Sequence, residues 1–162
     1  MFAVLGKELR LYFTAPVFYA LAAVFLVLSG YLFYTNLHFF VLFGAMDLVN
    51  GFWLFQFLDL RRLLIVLVPM LTMGLLAEER KLGTLELLWT YPIGDVAIVV
   101  GKFLAALLVL AVMLLVTTTH PLLLSSIHAL DWGPVVAGYT GLFLLTAACV
   151  ACGLFVSALT DS

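Results

Sequence analysis

The chain has 162 residues, of which 66% are hydrophobic and 10% are charged, whereas an ordinary soluble domain has roughly 45–50% and about 25%. A soluble fold of this size leaves about a third of its unfolded-chain surface in water, so the composition excludes a soluble enzyme and predicts an integral membrane protein. The net charge of −2 argues against a nucleic-acid partner, because a phosphate-binding surface needs clustered Lys and Arg.

The N-terminal segment predicts an amphipathic helix in the cytoplasmic interface. Lys7 and Arg10 lie opposite an apolar helical face, which consists of Phe2, Leu5, Leu9, Tyr12 and Phe13. Because residues 7–10 contain three charges, this segment cannot enter the hydrocarbon, and an interfacial position suits it. The alternative is that it forms the frayed start of the first span.

Four charge-poor stretches predict an all-α fold with four transmembrane helices, at about 17–34, 60–78, 97–119 and 135–158. A span needs about 20 mostly apolar residues. The uncharged stretch Leu11–Met46 is too long for one span and too short for two, so we expect the residues after 34 to lie near the outer interface. The second span has only the uncharged stretch Leu63–Ala77 and needs its charged flanks, where Arg side chains can snorkel to the interface.

The distribution of Lys and Arg predicts the orientation of the chain. Only Arg61 and Arg62 fall on one side of the four spans, and the other five lie on the N-terminal side: Lys7, Arg10, Arg80, Lys81 and Lys102. Short cytoplasmic loops carry the excess of these residues. We therefore expect a protein of the inner (cytoplasmic) membrane with a cytoplasmic N-terminus, a cytoplasmic segment 78–96 and an external segment 36–58.

The segment between the second and third predicted spans has the pattern of a short helix. Gly83 can end the preceding helix, Thr84 can cap a new one, and Pro92 stops it. Its apolar face consists of Leu85, Leu88 and Trp89. From the spacing, two interpretations stay open: the helix docks a cytoplasmic partner, or it rests on the lipid interface, where Trp is common.

The same segment carries a resemblance to a known family. The string EERKLGTLELLWTYPIGDVAIVVGKFLAALL resembles the corresponding loop of ABC-2-class permeases, the membrane subunits of ABC exporters, and most strongly those of the gliding-motility type. Three further strings match: KELRLYFTAPVFY, VPMLTMGLLAEER and DWGPVVAGYTGLFLLTAACVACGLFVSALTDS. The resemblance thus covers nearly the whole chain and is weakest between Asn36 and Leu58.

The resemblance implies a permease subunit that couples ATP hydrolysis by a separate ATP-binding subunit to transport across the cytoplasmic membrane. Family members have six spans and an interfacial N-terminal helix, and two permease copies pair within the lipid bilayer. Each copy lays a short coupling helix into a groove of the ATP-binding subunit. Carried over to this sequence, the coupling residues are Glu79, Arg80, Gly83, Thr84, Glu86 and Leu87. We expect residues 1–162 to form a single transmembrane domain that lacks the last two family helices.

The sequence predicts no ATPase activity and no cofactor. The P-loop pattern places a Gly five residues before its Gly-Lys pair and a Ser or Thr after it. Around Gly101–Lys102 these positions hold Val96 and Phe103. The chain is therefore not expected to be an enzyme by itself.

Two further constellations also have structural interpretations. Cys149 and Cys152 share a helix face, but two thiols make a poor metal site, so we expect a close helix contact there. We also expect Gly138 and Gly141, with Ala137, to allow close packing of the fourth span. A catalytic triad is not expected from the outer-loop residues Ser125, His128 and Asp131, because a short loop supplies no rigid support.

Two other functions remain as alternatives. A secondary transporter or channel fragment normally carries ionisable residues near mid-membrane, whereas Asp59 and Arg61 are predicted at the end of a span. A membrane anchor or assembly subunit that does not transport is the second alternative.

Overall fold

Helices make up nearly all of the described chain. The computed structural model describes residues 2–42, 51–72, 95–126 and 130–159, and within these ranges it contains no strand. The helices are α1 (Phe2–Thr14), α2 (Pro16–Leu42), α3 (Gly51–Thr72), α4 (Asp95–Thr117), α5 (Thr119–Ser125) and α6 (Trp132–Leu159). The predicted all-α class is confirmed.

Three helical stretches in the described ranges are long and apolar enough to cross a membrane: Pro16–Leu42, Ile98–Ser125 and Trp132–Leu159. They overlap the first, third and fourth predicted spans, although the third runs past its predicted end at 119 to Ser125, and they support a multi-pass membrane protein. The middle stretch, formed by α4 and α5, is the most enclosed, with 50% of its apolar window buried against 17% and 28% for the others. The bundle is therefore built around α4, while α2 and α6 expose most of their apolar side chains.

Helix α2 continues past residue 34, where the sequence predicted the end of the first span, as far as Leu42. The polar residues after 34 do not end the helix, because α3 provides hydrogen-bond acceptors for one of them, Asn36. The Nδ2 of Asn36 donates hydrogen bonds to Oε1 of Gln56 at 3.3 Å and to Oδ2 of Asp59 at 3.0 Å. Part of the segment predicted near the outer interface is thus a continuation of the helix.

Helix α3 begins at Gly51 rather than at 60 and carries Asp59, Arg61 and Arg62 near its middle. These charges were expected at the end of a span, and because of them α3 is not among the three apolar stretches. Residues 73–78 of the predicted second span lie outside the described ranges. A crossing by α3 therefore stays a prediction.

The buried side chains form two clusters. The main core joins α1, α2, α3, α4 and α6 and includes Phe25, Leu64, Val109, Leu110 and Val150. A second, largely aromatic cluster lies where α2 ends and α3 begins, and its buried members are Phe40, Phe52, Trp53 and Val135. The main core therefore extends toward the end of α3 and the start of α4, the two helix ends that flank the predicted coupling segment.

Candidate functional site

The six predicted coupling residues all fall in segment 73–94, outside the described residues: Glu79, Arg80, Gly83, Thr84, Glu86 and Leu87. The structure does describe the helix that leads into this segment, α3, and the helix that follows it, α4. The contacts that hold these two helix ends form the candidate site. We call the contact at the start of α4 the α4 anchor and the one at the end of α3 the α3 anchor.

The α4 anchor is a buried ion pair between α1 and α4. The Nζ of Lys102 lies 3.1 Å from Oε1 of Glu8, and the two side chains are only 2% and 4% exposed. Lys102 lies about 10 Å along the helix axis from the first residue of α4. Removing one partner of such a pair leaves a buried charge that has lost its counter-ion, which is strongly unfavourable. The pair therefore fastens the N-terminal helix to the start of α4.

Glu8 meets Lys102 because it lies within the apolar face of α1. Leu5, Glu8, Leu9 and Tyr12 are spaced i, i+3, i+4 and i+7, which places them on one side of a helix. Tyr12 belongs to the main core, and Leu5 and Leu9 pack against it. The predicted amphipathic helix is thus present, with Lys7 and Arg10 exposed as expected, but its apolar face packs against the bundle.

The ion pair is not among the sequence-based predictions, although the sequence contains a signal for it. Helical spacing separates Glu8 from Lys7 and Arg10 and places it among the apolar residues of α1. Lys102 is the one Lys or Arg within the predicted span 97–119, which makes it the natural partner of a buried Glu. Phe13, which the sequence places on the apolar face of α1, is 45% exposed and is not part of the buried face.

Tyr12 lies one turn beyond Glu8 and shares its buried environment. Burial raises the pKa of the Tyr12 hydroxyl, and the negative charge of Glu8 raises that pKa further. Among the described residues, the Tyr12 Oη has no hydrogen-bond partner. The folded protein therefore favours the neutral, protonated form of the Tyr12 side chain.

This shift predicts a loss of stability in alkaline solution. Because the pKa of Tyr12 in the folded protein lies above its ordinary value of 10.0, the stabilising contribution is complete below that value and is lost as the pH rises above it. We expect the melting temperature in detergent to fall above a pH of about 10, and to fall less in Tyr12→Phe. Identical pH profiles for the wild type and Tyr12→Phe would contradict this prediction.

The α3 anchor is a close contact between Thr72, the last residue of α3, and Gly153 of α6. A Cβ atom at Gly153 would overlap the Thr72 Oγ1 and lie 2.9 Å from the Thr72 Cβ. The Thr72 hydroxyl donates a hydrogen bond to the carbonyl oxygen of Val68 at 3.0 Å, so its burial leaves no unsatisfied donor. Glycine at 153 thus allows α6 to pack directly on the end of α3.

The predicted small-residue contacts of the fourth span are present in part. A Cβ atom at Gly138 would overlap the ring of Phe57, so Gly138 does allow α6 to approach α3 closely. Gly141, in contrast, has nothing within 4 Å of the position of a Cβ atom. Of the two cysteines, Cys149 packs against the main core and Cys152 is exposed.

Of the three residues weighed as a catalytic triad in the predicted outer loop, the structure describes Ser125 and Asp131. The Ser125 hydroxyl donates to the carbonyl oxygen of Leu122 in its own helix, and Asp131 accepts a hydrogen bond from the backbone N–H of Gly133. His128 lies outside the described residues. Within the ranges that the structure describes, no group of three or more His, Cys, Asp and Glu side chains could hold a metal ion.

The comparisons with known proteins agree with the sequence motifs. A family model described as "ABC-2 family transporter protein" matches residues 2–162. The matched region includes α1, both anchors and segment 73–94. No curated protein and no solved structure matches the chain. The family relationship of the chain therefore rests on the family model, and the geometry of the candidate site is that of the two anchors.

Proposed function

The chain belongs to the ABC-2 transporter family and is a membrane permease of an ABC transporter, and we propose that a separate ATP-binding subunit drives it through segment 73–94. The sequence has no P-loop, so the hydrolysis of ATP is assigned to that partner. The distribution of Lys and Arg supports a position in the inner membrane with the N-terminus in the cytoplasm. A second permease copy would complete the complex.

The buried ion pair of the α4 anchor is the observation that carries this proposal. A subunit that docks on segment 73–94 and moves would pull on the end of α3 and the start of α4. Separating Glu8 from Lys102 would leave charges inside an apolar environment, so α1 and the start of α4 move together. The close contact between Thr72 and Gly153 holds the end of α3 against α6, so these two helices also move together. A local movement of the segment thereby becomes a rigid-body shift of paired helices.

The docking role of segment 73–94 predicts different effects for two substitutions. Leu87→Pro should abolish binding of the ATP-binding subunit, because Pro within a helix costs about 3 kcal/mol or more. Glu86→Lys should keep the helix, because one first-turn charge is worth only about 0.3–1 kcal/mol. It should nevertheless lose the partner, since a reversed charge at a docking surface can cost several kcal/mol.

The measurement is co-purification of the ATP-binding subunit from membranes, with insertion of the permease quantified separately. Asp131→Lys makes the same change of charge at an exposed position outside the segment and should retain the partner. A helix that merely rests on lipid predicts that Glu86→Lys is harmless, or slightly favourable beside anionic headgroups. Full binding in both Glu86→Lys and Leu87→Pro would remove the segment as the docking element.

A further inference from the structure

A groove between α3 and α6 has features that the coupling mechanism does not use. We propose that it binds an anionic phospholipid, with one acyl chain in the groove and the lipid phosphate paired to Arg61. The groove lies along the same two helices as the α3 anchor but is lined by other residues, and the inference does not depend on a docked ATP-binding subunit.

The groove combines an apolar lining with the positive charge of Arg61. Its volume is about 200 Å³, and it lies between Leu54, Phe57 and Leu58 of α3 and Leu142 and Leu145 of α6. Gly138 and Gly141 form part of its floor, and Arg61 is the one charged residue among the described residues that line it. Such a surface suits a molecule with a hydrocarbon part and an anionic part.

Arg61 differs from its neighbour Arg62, which has a counter-ion within the described part of the chain. The Nη1 of Arg62 lies 2.8 Å from Oδ1 of Asp59. Over the ranges that the structure describes, Arg61 makes neither an ion pair nor a side-chain hydrogen bond. An Arg on a largely apolar helix is costly unless it is paired or reaches the headgroups. A phosphate is a suitable partner, because a guanidinium group donates two parallel hydrogen bonds to it.

The surroundings of the groove favour a lipid acyl chain as its occupant. They are apolar and accessible, since Leu54, one of the lining residues, is 60% exposed. A lipid chain can therefore enter from this side.

Native mass spectrometry of the purified full chain in detergent tests the proposal. The probes are phosphatidylglycerol and phosphatidylcholine with identical acyl chains, and the wild type should retain more of the anionic lipid. Arg61→Gln should reduce that preference about tenfold, since a charge-assisted hydrogen bond is worth at least one factor of ten. Arg62→Gln removes the same charge one residue away and should leave the preference unchanged. Arg61→Lys keeps the charge and should retain most of it.

A second variant tests the hydrocarbon part of the site. Gly141→Leu should fill the groove without disturbing the fold, because a Cβ atom at this position meets nothing within 4 Å. It should reduce retention of phosphatidylglycerol although Arg61 is present. Three results would overturn the proposal: equal retention of both lipids by the wild type, equal losses in Arg61→Gln and Arg62→Gln, or full displacement of the lipid by inorganic phosphate. Loss of a protein dimer instead of a lipid in Gly141→Leu would assign the groove to a second copy of the chain.

Discussion

Replacing Lys102 by methionine is expected to destabilise the protein by about 3–5 kcal/mol, because it leaves a buried carboxylate without its partner. Glu8 is 4% exposed on its side chain, and Lys102 is the ion-pair partner that the described residues provide for it. Methionine has a similar length and no charge, so the substitution removes the counter-ion while keeping most of the packing. The measurement is the free energy of unfolding in mixed detergent micelles with increasing denaturing detergent.

Two matched variants show whether the charge causes this loss. The double variant Glu8→Leu/Lys102→Met should recover most of the stability, since replacing both members of a buried pair by apolar residues is often neutral or stabilising. Lys7→Met makes the same chemical change at an exposed position of α1 and should shift the stability by no more than about 1 kcal/mol, the upper range for an exposed charge. If the double variant were as unstable as Lys102→Met, the loss would not come from the ion pair between Glu8 and Lys102.

Gly153→Ala is expected to destabilise the contact between α6 and the end of α3 by about 1–3 kcal/mol, the usual cost of overpacking a close contact. The added methyl group would meet the Cβ of Thr72, an atom that cannot move without the α3 backbone. Gly141→Ala is the matched control, because its methyl group would enter open space. We expect that variant to be neutral or to gain up to about 1 kcal/mol, as alanine restricts the unfolded chain.

The free energy of unfolding, measured in the same way, compares the two glycine variants. A third substitution tests whether the contact with Thr72 causes the loss in Gly153→Ala. Thr72→Ala removes the hydroxyl and methyl groups of the threonine, so it should restore part of the stability in the Gly153→Ala background. Because Thr72 precedes segment 73–94 directly, Gly153→Ala should also weaken co-purification of an ATP-binding subunit. Equal stabilities of Gly153→Ala and Gly141→Ala would contradict the close contact.

Several properties of this protein could be predicted from residues close together in the chain. The high apolar content and the lack of charge in three long stretches predicted the membrane class and the positions of α2, α4 and α6. The spacing of Leu5, Leu9 and Tyr12 predicted an amphipathic N-terminal helix. These predictions succeeded because the affinity of a helix for lipid or water depends mainly on its own side chains.

The candidate site depended on residues that are far apart in the sequence. Glu8 and Lys102 are separated by 94 positions, and Asn36 stays within α2 because Gln56 and Asp59 of α3 accept its hydrogen bonds. Likewise, only the rotation of α6 against α3 distinguishes Gly153, which contacts Thr72, from Gly141, which faces open space. The composition and periodicity of a helix show which of its faces are apolar. Which of those faces meet, and which buried charge finds a partner, is decided by packing between distant helices, and local sequence patterns do not contain that information.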